Sequence, residues 1–354
     1  MSSSGPPELA WSCPRPLDIH TTVQMAHGGG GRLMRDLVHE LFLAAFSAQG
    51  AGRPPHDSAV LSLGGMRLAF TTDSFVVSPL FFPGGDIGKL AVFGTVNDLA
   101  MAGAKPQWLS AAFVLEEGFP LETLRRIVAS MQGAAQEAGV AIVTGDTKVV
   151  DRGKGDGVYV NTAGIGIVPP GVDVSPQRVR PGDAVFVSGD LGRHGIAILS
   201  VREGLSFEGT LGSDCAPLSS LVESLTALGT HLHCLRDLTR GGLAAALNEI
   251  ALDAGVGIEL EEEAIPVAGP VASACELLGL DPLYLANEGR LVAFVSPEAA
   301  DRAWEILIRE GQDSRPACIG RVMDQHRGIV AVRNALGGQR IVDLLLGDPL
   351  PRIC

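Results

Sequence analysis

The sequence predicts a mixed α+β protein built from two domains. Its 354 residues are long for one domain, and helical and strand-like patterns alternate along the chain. The stretch from Pro169 to Gly182 is rich in proline and glycine, which is typical of a domain boundary. We therefore expect an N-terminal domain over 20–168, a linker over 169–182 and a C-terminal domain over 183–345.

Hydrophobic spacing predicts the individual elements. Leu33, Leu37 and Leu41 fall on one stripe, so residues 32–47 are predicted to form a helix. The other predicted helices cover 86–103, which reads as largely buried, and 120–138, 194–203, 216–228, 242–254 and 298–310. The predicted strands cover 67–77, 140–144, 158–168, 184–188, 257–261, 291–295 and 329–333.

Composition argues against several classes of protein. Hydrophobic residues make up 46% and charged residues 19%, so the chain can bury substantial cores. The formal net charge of -13 argues against a nucleic-acid-binding surface, and no apolar run reaches the roughly 18 residues of a membrane span. The six cysteines are scattered without a C-x-x-C pair, which fits a reducing compartment. We expect a cytoplasmic protein that binds neither nucleic acid nor membrane, with residues 1–19 as a disordered extension.

A glycine-rich segment opens the first predicted helix. It reads His27-Gly28-Gly29-Gly30, followed by another glycine. Glycines let main-chain amides approach a ligand closely, and a helix N-terminus favours anions. The segment therefore indicates either a phosphate-binding loop or a flexible hinge.

Several aspartates lie in turn-like contexts or near the ends of apolar runs. Asp73, Asp146 and Asp237 are placed where α/β folds hold ligands. Asp98 follows Asn97 within an otherwise apolar helix, where two polar groups are costly to bury without partners. Carboxylate oxygens together with nucleotide phosphates suit Mg²⁺. The alternative for any one aspartate is a helix cap, and it is strong for Asp86 and Asp237, which each precede a helix.

Two further residues are candidates for chemistry. Glu288, between an asparagine and a glycine before a predicted strand, is either a base or a solvated turn residue. Cys354 ends a proline-containing tail, 346–354, that is predicted to be mobile. Its thiol is suited to carry a covalently attached group, and the alternative is an incidental cysteine in a disordered terminus.

Taken together, these segments resemble the HypE family of hydrogenase maturation factors. The resemblance covers about residue 20 to the end, and the final Pro-Arg-Ile-Cys is its most specific part. The other similar strings are Ala26–Gly31, Thr72–Asp98, Val143–Lys148, Asn161–Gly164, Arg236–Gly242 and Ala286–Gly289.

The resemblance implies a fold and a reaction. The fold is that of aminoimidazole ribonucleotide synthetase and selenophosphate synthetase, as a homodimer with ATP near the cleft. In the reaction, the carbamoyltransferase HypF loads a carbamoyl group onto the thiol of Cys354. ATP then drives its dehydration to a thiocyanate, and the cyano group passes to iron on a HypC–HypD scaffold. The tail is expected to dock inward for chemistry and to swing out for loading and delivery.

Roles for the candidate residues follow from that reaction. Phosphate and Mg²⁺ are expected at Asp73, Asp98, Asp146 and Asp237, with Asn97 assisting. Lys148 is expected to supply a cation and Glu288 a base. Two other interpretations remain: a phosphotransferase acting on a free small molecule, and a scaffold that binds ATP without catalysis.

Overall fold

The computed structural model describes residues 22–46, 56–205, 211–311, 314–347, 350 and 352–354. These residues form an N-terminal and a C-terminal α+β unit, each built on its own sheet, which confirms the predicted two-domain fold class. The predicted disordered extension lies outside the described residues, and so do positions 348, 349 and 351 of the predicted tail.

Helices and strands alternate through both units. The helices are α1 Arg32–Leu37, α2 Ala44–Phe46, α3 Ile87–Met101, α4 Leu121–Ala138, α5 Arg193–Glu203, α6 Ser219–Thr226, α7 Gly242–Ala254, α8 Gly269–Leu278 and α9 Ala300–Gly311. The strands are β1 Ala59–Leu63, β2 Met66–Phe75, β3 Phe81–Phe82, β4 Gly85–Asp86, β5 Lys105–Glu116, β6 Ala141–Val150, β7 Val158–Val168, β8 Ala184–Val187, β9 Leu232–Asp237, β10 Gly257–Glu261, β11 Leu291–Val295, β12 Ala317–Met323, β13 Val330–Arg333 and β14 Gln339–Val342.

The N-terminal sheet has five strands in the order β1-β2-β7-β5-β6. All neighbours are antiparallel except β5 and β6, which are parallel. Burial alternates along most of β7, because successive side chains of a strand point to opposite faces. One face packs on α3, with α4 beside it, and the other face carries exposed apolar side chains.

Helix α3 joins the two units. It contacts β2, β5 and β7 on one side and β9 and α6 on the other. Nearly all of its residues are buried, which explains why its sequence reads as apolar all round. Asp86 immediately precedes the helix, and its carboxylate accepts the amides of Gly88 at 2.8 Å and Lys89 at 3.1 Å. The helix-cap interpretation of Asp86 is therefore confirmed.

The C-terminal sheet has seven strands in the order β14-β13-β10-β12-β8-β11-β9. Helix α7 covers one of its faces, and α6 with α9 covers the other. Every residue of β11 is buried, as expected for a strand covered on both faces. Leu291 of β11 pairs with Asp237 of β9. The loop that precedes β11 therefore lies beside the end of β9.

The structure departs from the predicted elements in several places, and β1, β9, β12, β14 and α8 are among the elements that were not predicted. The helix predicted over 32–47 is helical through Phe46 but winds as a π-helix over Val38–Leu43. The long strand β5 was not predicted, because its run from Trp108 to Leu115 is mostly apolar and is equally compatible with a buried helix. No described helix has the length and apolar character needed to cross a membrane.

Two glycines test the packing of the N-terminal unit. A Cβ at Gly164 in β7 would lie 2.8 Å from side-chain atoms of Leu99 and of Thr95, so Gly164→Ala should lower the free energy of unfolding by about 1–3 kcal/mol. Nothing lies within 4 Å of a Cβ at Gly133 in α4, so Gly133→Ala should raise it by about 0.5–1 kcal/mol. Urea unfolding measures both, and effects of the same sign would contradict this packing.

Candidate functional site

A cavity of about 460 Å³ lies between the two units. The N-terminal unit lines it with residues from 30–39, from 56–57 before β1, and with 71–73 of β2. Helix α3 adds Gly94 and Asp98. The C-terminal unit contributes residues within 236–240, at the end of β9 and just after it, and Glu249 and Asp253 of α7. Neither unit alone encloses this space.

Three aspartates from three different elements converge in the cavity. Asp57 precedes β1, Asp98 lies on α3, and Asp237 ends β9. One carboxylate oxygen from each lies within 4.8 Å of the other two. Thr71 donates to Asp98 Oδ2 at 2.8 Å, and Arg236 Nε lies 2.7 Å from Asp57 Oδ1. We call Asp57, Asp98 and Asp237 the aspartate cluster.

The aspartate cluster is electrostatically unfavourable without a cation. Burial is the largest cause that raises the pKa of each of the three carboxyls, and neighbouring carboxylates raise them further. The pKa of Asp237 rises to about 6, and those of Asp57 and Asp98 rise well above their usual range. No described donor reaches Asp57 Oδ2 or Asp237 Oδ2. Buried, under-satisfied carboxylate oxygens are a donor set that fits Mg²⁺.

Asp73, one of the predicted metal ligands, lines the same cavity without belonging to the aspartate cluster. Its Oδ1 accepts the amide of Ser74 at 2.7 Å and lies 3.9 Å from Arg240 Nη2. The pKa of Asp73 is raised, chiefly by burial. Asp73 is therefore placed to meet a ligand together with Arg240.

The glycine-rich segment packs closely against the C-terminal unit. Gly30 has a φ of 75°, and a Cβ there would lie 2.6 Å from the carbonyl oxygen of Arg240. A Cβ at Gly31 would lie 2.4 Å from the carbonyl oxygen of Leu345. Only glycine fits such close approaches. Gly30 and Gly31 both line the cavity, so the main chain here reaches the site.

The first three residues of the glycine-rich segment, His27, Gly28 and Gly29, lie in a turn before Gly30 and Gly31. His27 Nδ1 accepts the amide of Gln24 at 2.9 Å, and Gly28 O accepts from Arg240 Nη1 at 3.3 Å. Gly29 is buried, and its amide donates to Ala26. His27, Gly28 and Gly29 do not line the cavity, so the structure brings only Gly30 of the four predicted residues to it.

Glu288 is a buried acid and not a solvated turn residue. It is 3% exposed, and no described donor reaches its Oε1. The carboxylate of Asp214 accepts the amides of Glu288 at 3.3 Å and Gly289 at 3.2 Å, which fixes this loop. Burial is the first cause that raises the pKa of Glu288, and the charges of Asp237 and Asp214 follow.

Asn97 has a different task from the predicted one. Its Nδ2 donates to the carbonyl oxygens of Ala216 at 3.1 Å and Glu288 at 3.4 Å, and its Oδ1 accepts the amide of Leu218 at 2.8 Å. Asn97 is 2% exposed and does not line the cavity. Its amide is occupied in joining α3 to the segment before α6 and to the loop before β11, which satisfies a buried polar group.

The end of the chain is docked against the N-terminal unit. Cys354 O accepts the amide of Val76 at 3.0 Å, and Arg352 O accepts that of Ser78 at 3.3 Å. Ile353 and Cys354 are buried in the core that also contains α3. Cys354 is the first cause that raises the pKa of Arg240. The last residue therefore lies near the wall of the cavity.

Asp146 and Lys148 are not brought to the cavity of their own chain. Both lie exposed on the edge strand β6, where Lys148 Nζ is 2.9 Å from Asp146 Oδ2. The hydrogen bond from Lys148 is the first cause that lowers the pKa of Asp146. The two residues form a surface ion pair in the described chain.

Sequence reasoning did not single out Asp57 or Arg240. Asp57 lies two residues before the start of β1, and because β1 was itself not predicted, the position of Asp57 near a strand end could not be recognised. Arg240 was part of the similar string that begins at Arg236, but no role was given to it. Its position opposite Asp73 depends on the contact between the two units.

Comparisons with known proteins identify the family and agree with the two-domain fold. Residues 55–168 match the N-terminal domain of AIR synthase related protein, and residues 180–333 match its C-terminal domain. The carbamoyl dehydratase HypE of Azotobacter vinelandii is 54% identical over 96% of this chain and 99% of its own length. A HypE–HypF complex has a TM-score of 0.82 at 49% identity, covering 87% of this chain and 99% of that chain. HypE in complex with ATP has a TM-score of 0.79 at 47% identity, covering 94% and 100%.

Asp237→Asn tests the aspartate cluster as a cation site. Because the folded pKa of about 6 exceeds the usual 3.8, the stability that this carboxyl contributes is present at low pH and is lost as pH rises through about 6. The loss is roughly 3 kcal/mol. We therefore expect metal-free D237N to unfold at a higher temperature than wild type at pH 7.5, and to gain little from Mg²⁺.

Thermal unfolding with and without Mg²⁺ measures this effect. Asp301→Asn on the exposed face of α9 is the control and should match wild type in both conditions. Full stabilisation of D237N by Mg²⁺ would place the cation elsewhere.

Proposed function

The chain belongs to the HypE carbamoyl dehydratases of the AIR synthase related family, and from this premise we propose how its residues dehydrate a carbamoyl group. The reaction serves hydrogenase maturation and uses ATP. The observation that carries the proposal is the docked chain end, which places Cys354 near a cavity bearing the aspartate cluster, Arg240 and a loop of glycines. A phosphotransferase acting on a free small molecule would leave this docking without a use.

The chemistry explains why such a site is needed. The carbamoyl group is bound to sulfur as S–C(=O)–NH₂, and its oxygen is a poor leaving group. Transfer of the terminal phosphoryl group of ATP to that oxygen makes it leave as phosphate, while the two N–H protons are removed. The products are S–C≡N, ADP and phosphate. The site must therefore hold phosphates, stabilise negative charge and accept protons.

The phosphates of ATP are assigned to the cavity. The main chain at Gly30 and Gly31 approaches it closely, and Arg240 lines it with a guanidinium group suited to phosphate. The aspartate cluster would hold Mg²⁺, which when bound offsets the charge of the phosphates. A cation there also relieves the repulsion among these buried carboxylates.

Glu288 is assigned as the proton acceptor. It is buried beside the acidic residues, and its raised pKa makes its carboxylate a stronger base than an exposed glutamate. Asp214 and Asn97 hold the main chain of its loop through hydrogen bonds to the amide and the carbonyl. The burial of this loop also excludes water, which would attack an activated intermediate.

The docked chain end accounts for loading and delivery. We propose that HypF supplies the carbamoyl group and that a HypC–HypD iron scaffold receives the cyano group. The main-chain hydrogen bonds at Val76 and Ser78 lie outside both sheets, so release of the tail would not require any strand pairing to break. A thiol that is buried during chemistry can thus be presented to partner proteins.

A second copy of the chain is proposed to cover the open face of the N-terminal sheet. Ala59, Phe70, Ile165, Trp108 and Ala141 are cross-strand neighbours in one row across all five strands. All five are exposed. A continuous apolar row of this kind indicates an interaction surface, and a homodimer buries it on both chains at once.

The proposed homodimer would bring Asp146 and Lys148 close to the cavity of the partner subunit. Their cross-strand neighbours on β5 are Ala112 and Val114. Both are an even number of residues from Trp108, so they lie on the same face of the sheet as Trp108. Pairing through that face would carry Lys148 to the cavity of the partner subunit. There it would supply the predicted cation for the developing negative charge.

Mixing two inactive variants tests this arrangement. If Lys148 acts in the partner's cavity, Lys148→Ala and Glu288→Gln are each inactive, but one site of each mixed dimer is complete. Unfolding and refolding the two variants together should restore about a quarter of wild-type turnover, because half of the dimers are mixed and each has one intact site. No recovery, with mixed dimers verified by mass, would place Lys148 in its own chain's site.

Mass spectrometry of the C-terminal peptide tests the reaction itself. With HypF and its substrates, Cys354→Ala should carry no carbamoyl group, whereas the control Cys318→Ala, at an exposed cysteine, should load normally. Glu288→Gln should load normally but lose water about 100-fold more slowly after ATP is added. The exposed Glu263→Gln is its matched control and should react as wild type. A carbamoyl group mapped to another residue, or unchanged water loss in E288Q, would refute the assignments.

A further inference from the structure

His194 lies between the docked tail and the segment that precedes α6. Its Nε2 is 2.8 Å from the carbonyl oxygen of Ile353, and its Nδ1 is 2.8 Å from Ser213 Oγ. The ring is fully buried and packs edge-on against Phe82, with 5.4 Å between the ring centroids. His194 does not line the cavity. The ring therefore joins the tail to residues 213–216 from outside the space assigned to the phosphates.

The hydrogen bonds around His194 have one consistent direction. A carbonyl oxygen only accepts, so Nε2 carries the hydrogen that points at Ile353. Burial is the first cause that lowers the pKa of His194, so the ring is neutral and Nδ1 accepts from the hydroxyl of Ser213. Ser213 Oγ in turn accepts the amide of Cys215 at 3.1 Å. This chain of hydrogen bonds, from Cys215 to Ile353, is complete only while the tail is docked.

The residue between Ser213 and Cys215 fixes the loop of the proposed base. Asp214 accepts the amides of Glu288 at 3.3 Å and Gly289 at 3.2 Å, one on each carboxylate oxygen. A Cβ at Gly289 would overlap the carbonyl oxygen of Asp214, so the two segments are in close main-chain contact. A shift of the main chain at Asp214 would therefore move Glu288.

Release of the tail changes the surroundings of His194. The Nε2–H of a buried ring then loses its acceptor, and an unpaired buried donor is costly. The ring is expected to rotate or to bind water in response, and either change weakens its hydrogen bond with Ser213. The order of residues 213–216 should therefore depend on whether the tail is present.

We propose that His194 is a positioning residue that couples docking of the tail to the placement of Glu288. The inference rests on the proposed function, in which Glu288 is the proton acceptor. With the tail docked, the hydrogen bonds of His194 fix residues 213–216, and these fix the loop of Glu288. With the tail released for loading or delivery, the same loop is less ordered. The proton acceptor is thus fully placed only when a carrier is docked.

Hydrogen exchange measures this coupling without any carbamoyl group. Ile353→Asp should undock the tail of the full-length chain, because Ile353 is 2% exposed within an apolar core and a buried charge is costly. Faster alkylation of Cys354 by iodoacetamide, followed by mass spectrometry, verifies the undocking. The amides of Glu288 and Gly289 should then exchange about tenfold faster than in wild type.

Ser213→Ala interrupts the route between the tail and the loop. The same two amides should exchange about tenfold faster in this variant although its tail stays docked, and adding Ile353→Asp should change them little further. Ser200→Ala is the control, because Ser200 lies on the same helix as His194 and its hydroxyl donates to Ala197 O within that helix. It should match wild type. Unchanged exchange in I353D with an accessible Cys354, or fully multiplicative effects of the two substitutions, would overturn the proposal.

Single-turnover dehydration separates positioning from folding. In Ser213→Ala and His194→Gln, loading by HypF and affinity for ATP should match wild type, because neither residue lines the cavity. Water loss from the loaded chain should be about tenfold slower in both. Glutamine keeps a donor toward Ile353 but offers no ring nitrogen to Ser213, so Cys354 should stay protected from alkylation in H194Q.

Two results distinguish this proposal from the function on which it rests. Wild-type rates of water loss in both S213A and H194Q would overturn the role of His194 and leave the dehydration itself intact. A loaded wild-type chain that loses no water with ATP would refute the proposed function, whereas the exchange experiment would still decide whether the tail and the loop of Glu288 are coupled.

Discussion

The negative charges of the aspartate cluster are crowded into a buried space between the two units, and their repulsion is the main electrostatic constraint on the site. Asp57 and Asp98 come from the N-terminal unit and Asp237 from the C-terminal unit, so the repulsion acts across the contact that holds the units together. Arg236 neutralises part of it through Asp57 and Glu249. In the proposed mechanism a bound cation would offset the remaining negative charge while contacting carboxylates of both units. Binding of that cation would therefore also stabilise the contact between the units.

Much of the fold is readable from local sequence, because local patterns specify most of its elements. β7 was predicted over its full observed length, and the largely apolar α3 was recognised as a buried helix. β5 was not, since an apolar run without alternation fits either structure and only pairing with β6 and β7 makes it a strand. The π-helical turns over Val38–Leu43 border the cavity, and no residue type marks them in the sequence.

The sequence identified site residues only where a residue type, in its sequence context, has few structural roles that would explain it. A terminal cysteine and a glutamate flanked by asparagine and glycine led to Cys354 and Glu288, which the structure buries near the cavity. Asn97 was correctly judged too polar for its surroundings, but its partners proved to be main-chain groups more than a hundred residues away. The roles proposed for Asp57 and Arg240 depend on contacts between the units, and the role proposed for Lys148 depends on a second chain. Contacts between units or between chains cannot be recognised from the residue pattern of a single segment.

Asn97 and Asp98 are consecutive residues of α3, and the proposed mechanism gives them different tasks: Asp98 belongs to the proposed cation site, and Asn97 holds the loop of the proposed base. Asp98 faces the other acids of the aspartate cluster, while the side chain of Asn97 grips the carbonyl of Glu288. In that mechanism a single peptide unit of α3 would set the spacing between the Asp98 carboxylate and the main chain of Glu288. A substitution that tilts α3 would therefore displace the proposed cation site and the loop of the proposed base together.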